Sequence, residues 1–373
     1  MKLIKVIALI LCACVFVSTL AACTNNLSEG EWDDYTCDTD VYYSTTTTTA
    51  TTVMEDVLRE YNIPSYWADE LKATVEDSLA AINNSRDNHS AFIWYSDAHW
   101  SYSARRSVDL IKYLQDYTNI RLVNFGGDIV SNNSEVEHSE IISQLSDWRQ
   151  DTLKLTGHHS VVGNHDDDLP EYASREDLYN FLLKDEADKV TNEGSRFCYY
   201  VDNASESTRY IYLSTGFDET TQEDIRFLVN TLTGTQKDWH IVLVSHIWFN
   251  YNDTTTPTEG NVPDFAKVIF DVIDAYNARS AGSTGDVYYD FASAGARVEF
   301  CIGGHTHVDF DFRTDGGIPV ILNETDSYHL RGGNKGLDKT EEASVSVIIA
   351  DYDAGVIRII RAGRGDSRTV SML

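Results

Sequence analysis

Short apolar runs alternate with amphipathic stretches along most of the chain, and the period of each predicts an element. Residues 54–61 read as a helix. Residues 65–82 read as a second, with Ser65 as N-cap candidate and Trp67, Leu71, Val75, Leu79 and Ile82 on one face. Strands predicted at 91–95, 120–125 and 160–162 then alternate with helices predicted at 104–117 and 135–151, the signature of βαβ units and a largely parallel sheet. Further strands are predicted at 197–201, 210–214, 240–244, 298–302, 310–313 and 319–322. The last two apolar runs, 344–351 and 356–361, flank Tyr352-Asp353-Ala354-Gly355 and predict an antiparallel hairpin. The polar stretches 250–261 and 279–285 read as surface loops, and there is no internal repeat.

The first 52 residues follow a different pattern. Lys2 and Lys5 precede a 12-residue apolar run, Val6 to Val17, shorter than the ~20 residues a membrane-spanning helix needs. It ends in Leu20-Ala21-Ala22-Cys23, which resembles a bacterial lipobox and predicts a signal peptide over 1–22 with lipidation at Cys23. Residues 23–52 hold six acidic and no basic side chains and a Ser/Thr run, so they read as a disordered acidic, Thr-rich tether. The expected organisation is then a helical segment over 53–88 and one catalytic domain over 89–373. The expected location is the bacterial cell surface, exported and lipid-anchored.

Composition narrows the class of function. Of 373 residues, 42% are apolar, enough for a large core. There are 59 acidic and 29 basic side chains, a formal charge of −30 that loss of Lys2 and Lys5 would take to −32. Such a field repels nucleic acid and anionic membrane, so neither is an expected partner beyond the lipid anchor, and no protein partner is evident. Of the six cysteines, Cys12 and Cys14 leave with the signal, while Cys37, Cys198 and Cys301 form no metal-binding pattern. One disulfide is possible, although Cys301 lies in an apolar strand, where a free buried thiol is expected.

Five apolar strands each end in residues able to hold a metal: Asp97-Ala98-His99, Gly127-Asp128, Gly163-Asn164-His165-Asp166, Ser245-His246, and Gly304-His305-Thr306-His307. Loops beyond the carboxyl ends of parallel strands converge on one crevice, so the five sets can meet. In extended backbone a spacing of two aims Asp97 with His99, and His305 with His307, to one side. Carboxylate, imidazole and amide oxygen without thiolate suit two borderline divalent ions such as Mn²⁺, Fe²⁺ or Zn²⁺. Two such ions ~3.5–4 Å apart would lower the pKa of a bridging water and clamp the oxygens of an in-line displacement at phosphorus.

These blocks, in this order, resemble the calcineurin-like metallophosphoesterase superfamily, over roughly residues 90–322. The resemblance implies a four-layer α/β/β/α sandwich of two mixed β-sheets flanked by helices, here with an N-terminal helical appendage. It implies that Asp97, His99 and His307 hold one metal, that Asn164, His246 and His305 hold a second, and that Asp128 bridges them. It also implies that His165 acts catalytically beside the phosphate. The Asp-Arg-Gly block of the Ser/Thr protein phosphatases is missing, since Ile129-Val130-Ser131-Asn132-Asn133 follow Asp128. The tyrosine that purple acid phosphatases use to bind ferric iron is replaced by Ser131, and His99 stands where they usually carry glycine. The expected activity is hydrolysis of small phosphoesters through a metal-bridging hydroxide, monoesters favoured. The alternative is a phosphodiesterase on nucleotide, glycerophosphodiester or envelope-polymer substrates. A catalytically inactive surface-binding lipoprotein would be marked by lost ligands, and none is lost.

Around these blocks, Arg105 and Arg106 could bind a phosphate oxygen, and Trp248 could wall the substrate cleft. His89, His138, His158, His159, His240 and His329 read as structural or exposed. Arg361, Arg364 and Asp366 form a charged cluster without an assigned role.

Overall fold

The computed structural model describes residues 54–85, 88–100, 102–130, 138–167, 174–184, 197–250, 261–326 and 338–372, all within one unit, Val53–Leu373. The signal, Cys23, the tether and Cys37 lie outside these residues, as do His329 and most of the predicted loop at 250–261.

His89–Tyr95 (β1) is buried at six consecutive positions. A strand so covered on both faces belongs in the middle of a sheet. It pairs in parallel with Val123–Phe125 (β2), which pairs in parallel with His158–Ser160 (β3). Its other edge pairs antiparallel with Ser344–Asp351 (β12), and antiparallel Val356–Gly363 (β13) and Arg368–Ser371 (β14) extend the sheet. The predicted terminal hairpin is therefore present, with one more strand beyond it.

The second six-stranded sheet runs Phe310–Arg313 (β10), Pro319–Leu322 (β11), Arg297–Gly303 (β9), His240–Val244 (β6), Thr208–Tyr212 (β5) and Tyr199–Asn203 (β4). Its four middle strands are parallel and the two edge pairs antiparallel. Both sheets are mixed, as expected.

Period-two alternation along β6 explains the layering. Val242 and Val244 join the core between the sheets, whereas Ile241 and Leu243 join the core under the outer helices. Phe92 of the first sheet meets Tyr210 edge-on at 5.6 Å and stacks on Phe300 of the second at 6.4 Å. Tyr212 Oη donates across the same gap to Asn124 Oδ1 at 2.6 Å, which pairs the hydroxyl with the amide oxygen inside the sandwich.

Helices close both outer faces. A first helix (α1, 54–60), Ala68–Asn84 (α2), Tyr102–Thr118 (α3) and His138–Thr152 (α4) lie on the side of the first sheet. Two short helices follow, Asn164–Asp167 (α5) and Arg175–Leu182 (α6). Gln222–Thr233 (α7) and Asp264–Asn277 (α8) cover the second sheet. Neither α7 nor α8 is among the predicted helices, yet a capping box signals α7: Thr221 Oγ1 accepts from the Asp224 N–H while Asp224 accepts from that of Thr221. Such a cap contributes ~1 kcal/mol.

Two expectations need correction. Ser65 is not an N-cap, because a 3₁₀ turn, Ser65–Trp67, begins there and α2 continues from it. Trp67 and Leu71 are buried as predicted, Val75 and Ile82 pack partly buried against the same core, and Thr74, Ser78 and Ala81 complete the buried face of α2. Thr74 and Ser78 can be buried there because each hydroxyl donates to the carbonyl four residues back. The predicted loop at 279–285 instead contains Ala281–Thr284 (β7), which pairs with Val287–Asp290 (β8) in a separate hairpin. Cys301 is a buried free thiol, and the buried Cys198 Sγ donates to Asp224 Oδ1 at 3.2 Å.

Candidate metal centre

The five strand ends converge. Asp97 and His99 follow β1, Asp128 follows β2, Asn164 and His165 follow β3, His246 follows β6, and His305 and His307 follow β9. Donor atoms of Asp97, His99, Asp128 and His307 lie within 4.8 Å of one another, and so do those of Asp128, His246 and His305. Asn164 Oδ1 completes the second group, 3.1 Å from His246 Nε2 and 2.9 Å from His305 Nδ1. All seven expected ligands are thus together, with Asp128 common to both groups.

The backbone that achieves this is not extended. Asp97, His99, Asp128, His305 and His307 all have positive φ, at 56°, 39°, 59°, 69° and 55°. The two-residue spacing does bring its side chains together, but through left-handed turns, which cost roughly 1–2 kcal/mol per residue and persist only where the surroundings hold them. Hydrogen bonds supply that hold. The His305 N–H donates to Asp97 Oδ1 at 2.9 Å, the His165 N–H to Asp128 Oδ1 at 2.9 Å, and the Asp97 N–H to the Gly127 carbonyl at 2.9 Å. At Gly163 a Cβ would fall 2.1 Å from Asp128 Oδ1, so no larger residue leaves room for the carboxylate.

Ring orientation is fixed from behind. His246 Nδ1 lies 2.6 Å from the Gly126 carbonyl and His99 Nδ1 3.2 Å from that of Val130, so each ring donates N–H there and presents Nε2 to the centre. His99 Nε2 and His307 Nε2 face each other at 3.4 Å. Burial disfavours the charged form of His99 and of His305 and brings both down to about 4, which keeps them neutral and able to bind a cation. Burial opposes charge on His246 as well, but Asp128 and Asp97 outweigh it and raise it to about 9. Burial likewise resists ionisation of Asp128, and His246 and His99 overcome it, holding the carboxyl well below its usual range. Buried carboxylates and imidazole nitrogens that converge within a few ångströms form a donor set that fits divalent cations.

A family model for calcineurin-like phosphoesterases matches residues 91–309. The chain belongs to this family. The calcineurin-like phosphoesterases are phosphoester hydrolases, and the fold and donor set described above agree with that membership. Similar solved structures include a dimetal phosphatase from Danio rerio, 13% identical over 76% of this chain and 99% of that one, with a TM-score of 0.48. Another is Yfce, a phosphoesterase from E. coli, 12% identical over 76% of this chain and 100% of that one, with a TM-score of 0.32. No curated protein sequence matches.

In this phosphoesterase the His165 imidazole is more accessible than that of His307, 30% against 22% exposed at the side chain. Its Nε2 stands 4.0 Å from Asp128 Oδ2 and its ring packs edge-on against His99 at 4.7 Å. Among the described residues its Nδ1 has no hydrogen-bond partner.

Two expected substrate contacts, Trp248 and Arg106, are buried in other contacts, whereas Arg105 is half exposed with its guanidinium over the Trp100 ring at 5.5 Å. Trp248 is fully buried, donates its indole N–H to the Ile302 carbonyl at 2.8 Å and stacks on Phe270 under the outer helices. Arg106 is buried against the N-terminal helices, bonded to Glu342 at 3.1 Å and to the Asn62 carbonyl. Arg105 pairs with Asp147 on the helix surface at 2.6 Å. His158 bonds Tyr95 Oη at 2.8 Å, and His240 bonds Glu299 and Asn88, in keeping with structural roles.

Asp166 is a supporting residue that the sequence pattern did not single out. Its carboxylate accepts the N–H groups of Asp128, Ile129, Val130 and Gly163 between 2.8 and 3.1 Å and so ties the Asp128 turn to the Asn164 turn. Its place in Gly163-Asn164-His165-Asp166 was the available signal. Burial and the nearby Asp128 charge push it up to about 7.

Proposed function

We propose that this phosphoesterase hydrolyses small phosphoesters, monoesters in preference to diesters, at a centre of two divalent ions of the Mn, Fe or Zn type. The observation that carries this is Asp128, whose Oδ2 lies 3.2 Å from His246 Nε2 and 3.8 Å from His99 Nε2 and so belongs to both ligand groups. Asp97, His99 and His307 would hold one ion, and Asn164, His246 and His305 the other. Bound there, the ions supply Lewis acidity toward a phosphoryl oxygen and a water of lowered pKa.

The chain's own residues then have distinct tasks. Asp128 grips the His165 N–H and fixes where that imidazole stands, and the exposed ring is in position to protonate the departing ester oxygen. The left-handed turns hold the ligands convergent before substrate arrives, so little reorganisation accompanies the reaction. Two variants of the chemistry separate on a panel of p-nitrophenyl phosphate, bis-p-nitrophenyl phosphate, nucleotides and glycerophosphodiesters assayed with Mn²⁺. We expect the highest kcat/KM on a monoester. A diester ahead of every monoester would select the phosphodiesterase alternative, and no turnover of any would select the inactive binding lipoprotein.

Location is part of the proposal: export, cleavage before Cys23, and anchoring by lipid on that cysteine. The support is the Leu20-Ala21-Ala22-Cys23 ending after the apolar run. Cys23→Ser should abolish labelling by a fatty-acid probe and membrane partition. Unchanged membrane association of that variant would refute the anchor.

A further inference from the structure

Three arginines near the C-terminus form a network that the proposed chemistry does not use. Arg361 on β13 is 5% exposed and donates to Asp309 Oδ1 at 2.5 Å, to Ser344 Oγ at 2.8 Å and to Asn323 Oδ1 at 3.4 Å. Arg368 on β14 donates to the same Asp309 oxygen at 2.9 Å, to both oxygens of Asp311 at 3.0 and 3.1 Å, and to the Leu322 carbonyl at 2.9 Å. Asp309 also accepts the N–H groups of Glu324 and Asp366 at 3.1 and 3.3 Å. It therefore joins three segments: its own loop, the loop after β11, and the β13–β14 turn.

Two of those segments carry or support proposed ligands. Asp309 lies two residues beyond His307. The loop after β11 backs the other side of the same half-site, where Thr325 Oγ1 donates to the Asp97 carbonyl at 3.0 Å and the Asp326 N–H to the Ser96 carbonyl at 2.8 Å. Arg364 reaches the Thr325 carbonyl from the C-terminal strands. We infer that Asp309, held by Arg361 and Arg368, is a positioning residue that keeps the His307 loop and the 323–326 loop at the spacing where Asp97, His99 and His307 meet a cation.

Asp97 and His307 sit in left-handed turns, with φ of 56° and 55°, so their loops need an external constraint. A guanidinium fork fixes direction as well as distance, which a lone lysine would not. Removing charges from water offsets most of what such buried pairs contribute to stability, so holding a unique geometry is the better account of this network. His246, in the other half-site, is held separately through the Gly126 carbonyl at 2.6 Å.

The inference rests on the proposed two-ion centre, and the experiment separates the two. Chelator-treated full-length protein is titrated with Mn²⁺ by calorimetry, beside Asp309→Asn and the control Arg313→Ala. Arg313 bonds the Gly317 and Ser371 carbonyls at 2.6 and 2.7 Å, along the same strands but away from Asp309. Wild type should take up two equivalents. Asp309→Asn should weaken one of them by about 10–100-fold and leave the other within about threefold, while Arg313→Ala should lower the metal-free Tm with both affinities kept. If Asp309→Asn does not fold, Arg368→Gln replaces it with the same expectation. Fewer than two equivalents in wild type would overturn the two-ion centre itself. Two equivalents unchanged in Asp309→Asn, or both weakened equally, would overturn the positioning role alone.

Discussion

Replacing Asp128 by Asn keeps the size of a side chain that is 1% exposed and removes its charge. The amide oxygen can still accept the His165 N–H, 2.9 Å from Oδ1 in the native protein, so the turn survives. What is lost is the attraction for positive charge between the two ligand groups. Its size can be judged from His246, whose imidazole is raised to about 9 against burial, chiefly by Asp128 and then by Asp97. Measured from an ordinary value of ~6.5, that rise corresponds to on the order of 3 kcal/mol in favour of one positive charge at Nε2. A divalent ion carries twice the charge, so Asp128→Asn should weaken Mn²⁺ binding by at least about 10²-fold. Calorimetric titration gives the affinities, elemental analysis the bound metal, and p-nitrophenyl phosphate turnover should fall in step. The metal-free Tm should stay within a few degrees of wild type. A variant that binds Mn²⁺ within threefold of the wild-type Kd would refute the shared role of Asp128.

His165→Ala should lower kcat by about 10²–10⁴-fold, the usual worth of general acid assistance, while metal content stays intact; loss of metal from that variant would make the imidazole a ligand instead. Glu206, far along the chain from the metal centre, is pushed up to about 7 by burial, against about 4.5 ordinarily. Between these values the folded protein holds a proton that the unfolded chain has released, so stability is fully present below about pH 4.5 and declines as pH rises to 7, by at most on the order of 3 kcal/mol. Glu206→Gln should flatten the fall of Tm between pH 5 and 8, and an unchanged slope in that variant would count against the buried neutral carboxyl.

What the sequence showed follows from how local each signal is. β6 and β11 lie where their apolar runs predicted, because strands buried on both faces read as uninterrupted apolar segments. The metal-competent residues were legible because each closes such a run. Their backbone was not: aspartate and histidine adopt left-handed φ more readily than most residues, but residue type alone does not tell which of them does so. Trp248 misled because position after His246 says nothing of which way an indole turns, and here it turns under Gly303 toward the Ile302 carbonyl. Arg106 misled for a related reason: its partner Glu342 is 236 residues away, and only the folded chain brings the N-terminal helices over both. The β7–β8 hairpin escaped because Ala281-Gly282-Ser283-Thr284 is short and half exposed, which loops also are.

The charge of the chain and the charge of the centre act on substrate in different ways. Asp97 and Asp128 are each at most 1% exposed and belong to the two ligand groups, and among the described residues there the compensating positive charge is on His246. Cations are therefore drawn to a centre that is itself short of positive charge. Around it the formal charge of −30 repels anions at long range, but in physiological salt that repulsion fades over ~8 Å. A compact phosphoester needs to bring only one or two charges through this field before bound cations dominate, whereas a polynucleotide must lay many phosphates along an acidic surface. Arg106, buried against Glu342, is not placed to relieve that cost, and the charge of Arg105 is already balanced by Asp147. On the proposed chemistry, the same acidity that concentrates metal also selects small substrates over polymeric ones.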